Sequence, residues 1–373
     1  MIRFLIALLA LLFLPSALCA FQNYDIDDGL SQSVVFDIVQ DQQGFIWIST
    51  QAGLNRFDGN EFTVFTASNE TNSLANNYIY PLAIDNESTL FIGTRNSGVN
   101  QLALHNYQFS EPLLKERRIT SLLVAQQQVY IGTYDGSLFR YDKRAEQLET
   151  LITGLKKPIY ALSKIADILW IGTHGAGLLH YDLINNQQIN SVFSGFAEPV
   201  DIHASIFAIK QAVDGSIWLA SQGGGLYKIE PSTKTITQWL TSKNDNSGLS
   251  SNEIRDIEFD SQGRVWLATR GGGINVYDPI DASFTVLAHD PFDKYSLAHD
   301  RVYSIYRDSS DIMWFGTAHG ISKLDPASLQ FSKLKKPTPL SSNDAWALFE
   351  DSKQRIWYGS WGGGIDILDQ QLN

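Results

Sequence analysis

Cysteine occurs once in the 373 residues, at position 19, so a chain processed beyond that point can form no disulfide and is stabilised by packing alone. No apolar run after residue 20 is long enough to cross a membrane as a helix. Positive charge is also in deficit. The 28 Lys and Arg stand against 40 Asp and Glu, a net charge of −12, which argues against nucleic acid, heparin-like polymers and anionic membranes as main partners. The seven histidines (His105, His174, His180, His203, His289, His299 and His319) show none of the close spacings that hold a metal. Neither a metal nor another cofactor is expected.

The first 20 residues differ in kind from the rest. Arg3 gives a positive start, residues 4–14 are an unbroken apolar run, and small residues follow to Ala20. This predicts a secretory signal peptide over 1–20 and a periplasmic location for 21–373. An uncleaved anchor fits less well because the run is short, and a lipidated Cys19 fits less well because Leu18 is not small.

What the chain does have is one sentence written many times. The stretch 263–278, GRVWLATRGGGINVYD, alternates apolar and other residues at period two on both sides of three glycines, the pattern of a β-hairpin. Eight copies align on the aromatic anchors Trp47, Phe91, Tyr130, Trp170, Trp218, Trp266, Trp314 and Trp357, spaced 44, 39, 40, 48, 48, 48 and 43 residues apart. That period is the length of a four-stranded propeller blade. Most copies carry a short apolar strand before the hairpin and another after it, so four strands per repeat are accounted for.

The expected fold is therefore all-β: a β-propeller of four-stranded antiparallel blades in eight repeats, with the anchors packed between blades. Phe21–Tyr24 matches the pattern of a fourth strand. It is expected either to complete the eighth blade, giving an eight-bladed ring, or to close seven blades with the eighth copy starting a further unit.

Three motifs resemble the two-component regulator propeller family: Gly-Leu-Ser before a first strand (248–250), Asp-x-x-Gly-x-[Ile/Val]-Trp at the first turn, and Gly-Gly-[Leu/Ile]-x-x-[Tyr/Phe]-Asp at the second. The resemblance runs from 21 to 369. It implies a periplasmic sensor propeller of the kind found on hybrid histidine kinases and diguanylate cyclases, reading a small nutrient such as an oligosaccharide and working with a homodimer or membrane receptor partner. Family sensors usually continue into a second propeller, an immunoglobulin-like module, a membrane helix and an output domain. With no phosphoacceptor-histidine segment or cyclase signature in these residues, the chain is expected to be a sensor module and not the signal-producing enzyme.

The glycine triplets 223–225, 271–273 and 362–364 are expected to be turns, not phosphate cradles, because none opens a helix or precedes Lys-Ser/Thr. The acids closing third strands, among them Asp58, Asp142 and Asp278, are expected to cap turns. Candidate ligand contacts are the variable residues of the turn between strands two and three: Gln51, Arg95, Tyr134, His174, Gln222, Arg270 and Trp361, with Ala318 completing the series. Their mix of ring faces and donors suits a sugar. Trp346, inside a first strand, is expected to pack between blades in preference to lining the channel. Two other readings compete: a propeller enzyme of the streptogramin lyase kind, and a protein-interaction platform with Phe193, Phe196 and Phe292 as apolar contacts.

Overall fold

A computed structural model of the protein describes residues 21–70, 72–189, 202–241, 248–330, 345–360 and 364–368. The predicted signal peptide, Phe193, Phe196 and Trp361 lie outside these residues. The described residues are built of β-strands and two short 3-10 helices.

Residues 21–326 form seven four-stranded antiparallel sheets. Their innermost strands, in order, are Val35–Gln40, Ile79–Ile84, Ile119–Ala125, Ile159–Ile165, Ser205–Gln211, Ile254–Phe259 and Val302–Arg307. Each packs against the next and the seventh against the first, so the ring closes. We number the blades 1 to 7 in this order.

Closure is made by the N-terminal strand. Gln22–Tyr24 pairs antiparallel with the third strand of blade 7, Gln22 opposite Lys323 and Tyr24 opposite Ile321. Phe21 packs its ring 5.8 Å from Phe315, and Asn23 accepts a hydrogen bond from Ser322 Oγ at 2.6 Å. Of the two expected closures the seven-bladed ring is the one formed: the strand that could have completed an eighth blade is used in blade 7. The ring thus ends at Pro326, not at residue 373.

Residues 327–373 belong to a separate unit, in which Ala345–Glu350, Ile356–Ser360 and Gly364–Leu368 make a three-stranded sheet. Trp346 is 73% exposed there, which overturns the expectation that it packs between blades. Leu348, Phe349 and Ile365 of the same sheet are exposed as well.

The core of the ring lies between blades. Trp47 of blade 1 sits with Leu74, Ile79, Leu82, Leu90 and Ile92 of the blade 2 region, and Trp218 of blade 5 with Leu249, Ile254, Ile257, Val265 and Leu267 of blade 6. At the seam, Trp314 of blade 7 packs with Val35, Ile38 and Ile48 of blade 1. The seven anchors of the ring are buried, whereas Trp357 in the separate sheet is half-buried.

The Asp-x-x-Gly turn has a second task that explains its link to tryptophan. In blade 1, Asp41 Oδ1 accepts the turn amides of Gln43 and Phe45, while Asp41 Oδ2 accepts the indole N–H of Trp47 at 2.7 Å. The same latch joins Trp266 to Asp260 and Trp314 to Asp308, both at 2.8 Å, and Trp357 to Asp351 at 3.0 Å. One carboxylate therefore satisfies both the turn and a buried donor that would otherwise be left unpaired. Blade 2 has Phe91, which carries no N–H, and there Lys143 of blade 3 reaches Asp85 Oδ2 at 2.7 Å.

At the other end of the hairpin, Gly273 takes φ +68, and a Cβ on it would overlap the carbonyl oxygen of Leu287. Asp58 accepts the amides of Asn60 and Glu61, and Asp142 those of Arg144 and Ala145. These acids are turn caps.

Candidate functional site at the mouth of the channel

A slip in strand pairing builds the site. In blade 1 Val35 pairs with Thr50 and Asp37 with Ser49, so Phe36 is left over between them. The same slip leaves over Thr120, Tyr160, Phe207, Arg255 and Tyr303, and in blade 2 both Tyr80 and Pro81. An extra residue in one strand of an antiparallel pair bends that strand and re-aims a side chain. Here all of these residues line a central cavity of about 600 Å³.

Seven blades thus present Phe36, Tyr80, Thr120, Tyr160, Phe207, Arg255 and Tyr303 around one axis, and five of the seven are aromatic. Neighbours touch across blade boundaries. Phe36 stacks on Tyr80 with ring centroids 4.6 Å apart and meets Tyr303 edge-on at 5.6 Å. Tyr160 stacks on Phe207 at 5.0 Å, and the Arg255 guanidinium lies 4.1 Å from the Phe207 centroid. Tyr78 adds a further ring, 5.3 Å from Tyr80.

The second-turn residues sit at the entrance to this ring. Their backbone amides bond to carbonyls just before the inner strands: Arg95 to Tyr78, Tyr134 to Arg118, His174 to Pro158 and Arg270 to Glu253. Turn and inter-blade loop therefore share one face. Three of the candidates reach ring residues or their neighbours. Arg95 lies 4.8 Å over Tyr78, Tyr134 lies 4.1 Å beneath the Arg118 guanidinium, and His174 stands 6.0 Å from Tyr160 and 6.2 Å from Phe207. The others are engaged or set elsewhere. Arg270 pairs with Glu253 at 3.4 Å, Gln222 bridges to Glu253 through its backbone, and Gln51 is exposed in its turn. Asn77, Asn252 and Asp300, just before inner strands, each accept a loop amide at 2.6 to 2.7 Å, which fixes the start of those strands.

Deeper in the channel the chemistry changes. Asp37 accepts the amides of Ile38 and, across the blade boundary, Leu82, both at 2.8 Å. Asp256 does the same with Ile257 at 2.8 Å and Ile305 of blade 7 at 2.9 Å. Burial, together with the charge of Asp256, pushes the Asp37 carboxyl up to about 7 against the pull of its amide donors. Burial likewise raises Asp256 to about 6, with Lys210 opposing. For Lys210, burial works against the ammonium, but Glu258 at 2.7 Å, Asp256 and Asp37 more than offset it and hold it above its ordinary value.

Four stretches of the chain, residues 29–52, 248–271, 296–319 and 339–362, match the family described as two component regulator propeller. The chain carries two-component regulator propeller repeats. Each of the first three matched stretches runs from the inter-blade loop through the bulge residue (Phe36, Arg255 or Tyr303) to the second turn, so the repeat unit contains the whole channel-facing segment of its blade.

Among curated proteins, 45 residues are 49% identical to a stretch of histidine kinase P4 of Formosa agariphila, which is 12% of this chain and 3% of that protein. Among solved structures, the extracellular domains of two hybrid two-component systems of B. thetaiotaomicron superpose with TM-scores of 0.72 and 0.68, each at 22% identity over 95% of this chain. The chain spans 48% and 46% of those two domains. A streptogramin B lyase superposes with a TM-score of 0.62 at 13% identity, over 82% of this chain and 96% of the lyase. At these identities the likeness speaks for the propeller fold.

The ring of inner-strand residues was missing from the sequence-based candidates. A signal for it exists. In a regular strand, apolar residues buried on one face recur every two residues. Here Val35 and Ile38, Ile79 and Leu82, and Ile254 and Ile257 are buried three apart, with half-buried residues between them. Apolar residues three apart in so short a strand mark the bulge.

Proposed function

We propose that the chain is an extracytoplasmic ligand-sensing propeller, non-catalytic in itself, that binds a small nutrient such as an oligosaccharide at the mouth of the ring. The observation that carries this reading is the bulge that turns one side chain per blade into the channel, with five aromatic faces among the seven. Packing between blades does not require aromatic rings at a position facing the axis, whereas a flat-faced ligand does.

Export agrees with residues 1–20 and with the extracellular domains to which the ring is similar. A binding role also suits the two channel carboxylates, because Asp37 and Asp256 already hold the amides of the next blades. The output would come from a homodimer or a membrane receptor partner. The lyase-like fold keeps an enzymatic reading in view, and the same experiment addresses both.

Isothermal titration of the exported chain against a panel of oligosaccharides is expected to find a ligand, with affinity falling at least tenfold in Tyr160→Ala and Phe207→Ala. Unchanged binding in both variants would remove the channel site. Chemical turnover of the bound ligand would replace the sensor reading with the enzymatic one.

A further inference from the structure

The entrance to the ring gathers arginines. In a chain of net charge −12, three guanidinium groups gather at one mouth: Arg95, Arg118 and Arg255. Several other arginines are neutralised: Arg117 by Asp135, Arg140 by Glu149, Arg264 by Asp260 and Arg270 by Glu253. Among the described residues, the three at the mouth have no carboxylate within salt-bridge distance, and each lies instead on an aromatic face.

Two of them flank the stacked pair of Tyr160 and Phe207. Arg118 lies over Tyr80 at 5.4 Å and over Tyr134 at 4.1 Å, and its buried Nε has no hydrogen-bond partner. Arg255 lies over Phe207, which stacks on Tyr160. Tyr160 is within electrostatic reach of both guanidinium groups. Burial and the nearby charge of Arg270 work against the Arg255 cation, and Glu253 only partly restores it. Two half-buried cations with no carboxylate in salt-bridge contact, on either side of a stacked aromatic pair, form an arrangement that an anion would complete. The planar fork of arginine matches a carboxylate, and the stacked rings match a flat or ring-shaped body.

Building on the channel mouth as the ligand site, we infer that the ligand is a carboxylate borne on a ring, its anionic group held by Arg118 and Arg255 and its ring lying against Tyr160 and Phe207. A sugar acid and an aromatic acid share this chemistry. A neutral sugar of the same shape would leave the cations uncompensated.

The test compares each acid with its methyl ester, which keeps the ring and removes the charge. Titration calorimetry of the exported chain would use a galacturonate trisaccharide and 4-hydroxybenzoate, each beside its ester. At least one acid is expected to bind ten times or more tightly than its ester, with the preference lost in Arg118→Gln and Arg255→Gln and partly kept in Arg255→Lys. Which acid binds decides between sugar and aromatic sources. Equal binding of acid and ester, or full preference in both glutamine variants, overturns the anionic ligand. If an ester then loses affinity in Phe207→Ala, the channel site stands and only its charge preference falls. If acid binding is indifferent to Phe207→Ala and Tyr160→Ala, the site itself is wrong. Failure of both acids to bind also counts against the inference.

Discussion

Replacing Asp260 by alanine tests whether the turn carboxylate secures the blade anchor or only shapes the turn. Its side chain is fully buried and serves four donors: the amides of Gln262 and Arg264 at 3.0 Å, Arg264 Nε at 2.6 Å and the Trp266 indole at 2.8 Å. The turn amides lie near the surface, where water can replace the lost acceptor. The indole cannot recover, because Trp266 is 0% exposed. A hydrogen bond to a charged group contributes about 1.5 to 3 kcal/mol, and the stranded Arg264 cation adds about 1, so Asp260→Ala is expected to cost about 2.5 to 4 kcal/mol. Asp260→Asn is expected to be nearly as harmful, since an amide cannot accept at both positions. Urea unfolding followed by far-ultraviolet circular dichroism measures each variant, and Trp266→Phe completes a double-mutant cycle. The coupling expected between Asp260 and the indole is about 1.5 kcal/mol. A loss below about 1 kcal/mol in Asp260→Ala, or additive single and double variants, would refute the latch and leave the aspartate as a turn residue only.

Blade 2 offers the complementary case: Lys143→Met strands the buried Asp85 and is expected to cost about 3 kcal/mol, most of it recovered by adding Asp85→Asn, as read by urea midpoints. Deleting residues 21–24 removes the fourth strand of blade 7 and opens the seam, so limited proteolysis is expected to cut first between 297 and 326, and cleavage no faster than in the intact chain would refute closure by that strand. The raised carboxyls predict a pH dependence. Asp37 at about 7 and Asp256 at about 6 hold protons in the folded state that the unfolded chain has released above about pH 4, so their contribution is fully present below that point and is lost as pH rises toward 7. Asp37→Asn is expected to flatten the decline in urea midpoint between pH 5 and 7.5, and an unchanged slope would refute the assignment.

The two parts of the molecule differ in how far sequence could reveal them, and the reason is geometric. Anchors such as Trp47 and Trp266 repeat with the blade and alternate at period two, so composition and spacing sufficed to place them between sheets. The second-turn residues were legible for the same reason: glycines punctuate the hairpin, and a meander puts that turn beside the inter-blade loop, as the Arg95 to Tyr78 and His174 to Pro158 backbone bonds show. Phe36, Tyr160, Phe207 and Arg255 were hidden because one extra residue reverses the parity of the strand, so that counting by twos assigns them to the wrong face. Closure of the ring was hidden for a different reason. Phe21–Tyr24 has the pattern of any fourth strand, and pattern alone cannot say which blade it completes. Blade 7 receives it because an acceptor site is already built there. Ser322 hydrogen-bonds Asn23, Phe315 packs against Phe21, and Phe57 and Phe62 of blade 1 close over Tyr24 at 4.9 and 6.1 Å. The seam between first and last blades is therefore specified by side chains nearly 300 residues apart, and a repeat read one copy at a time has no access to that pairing.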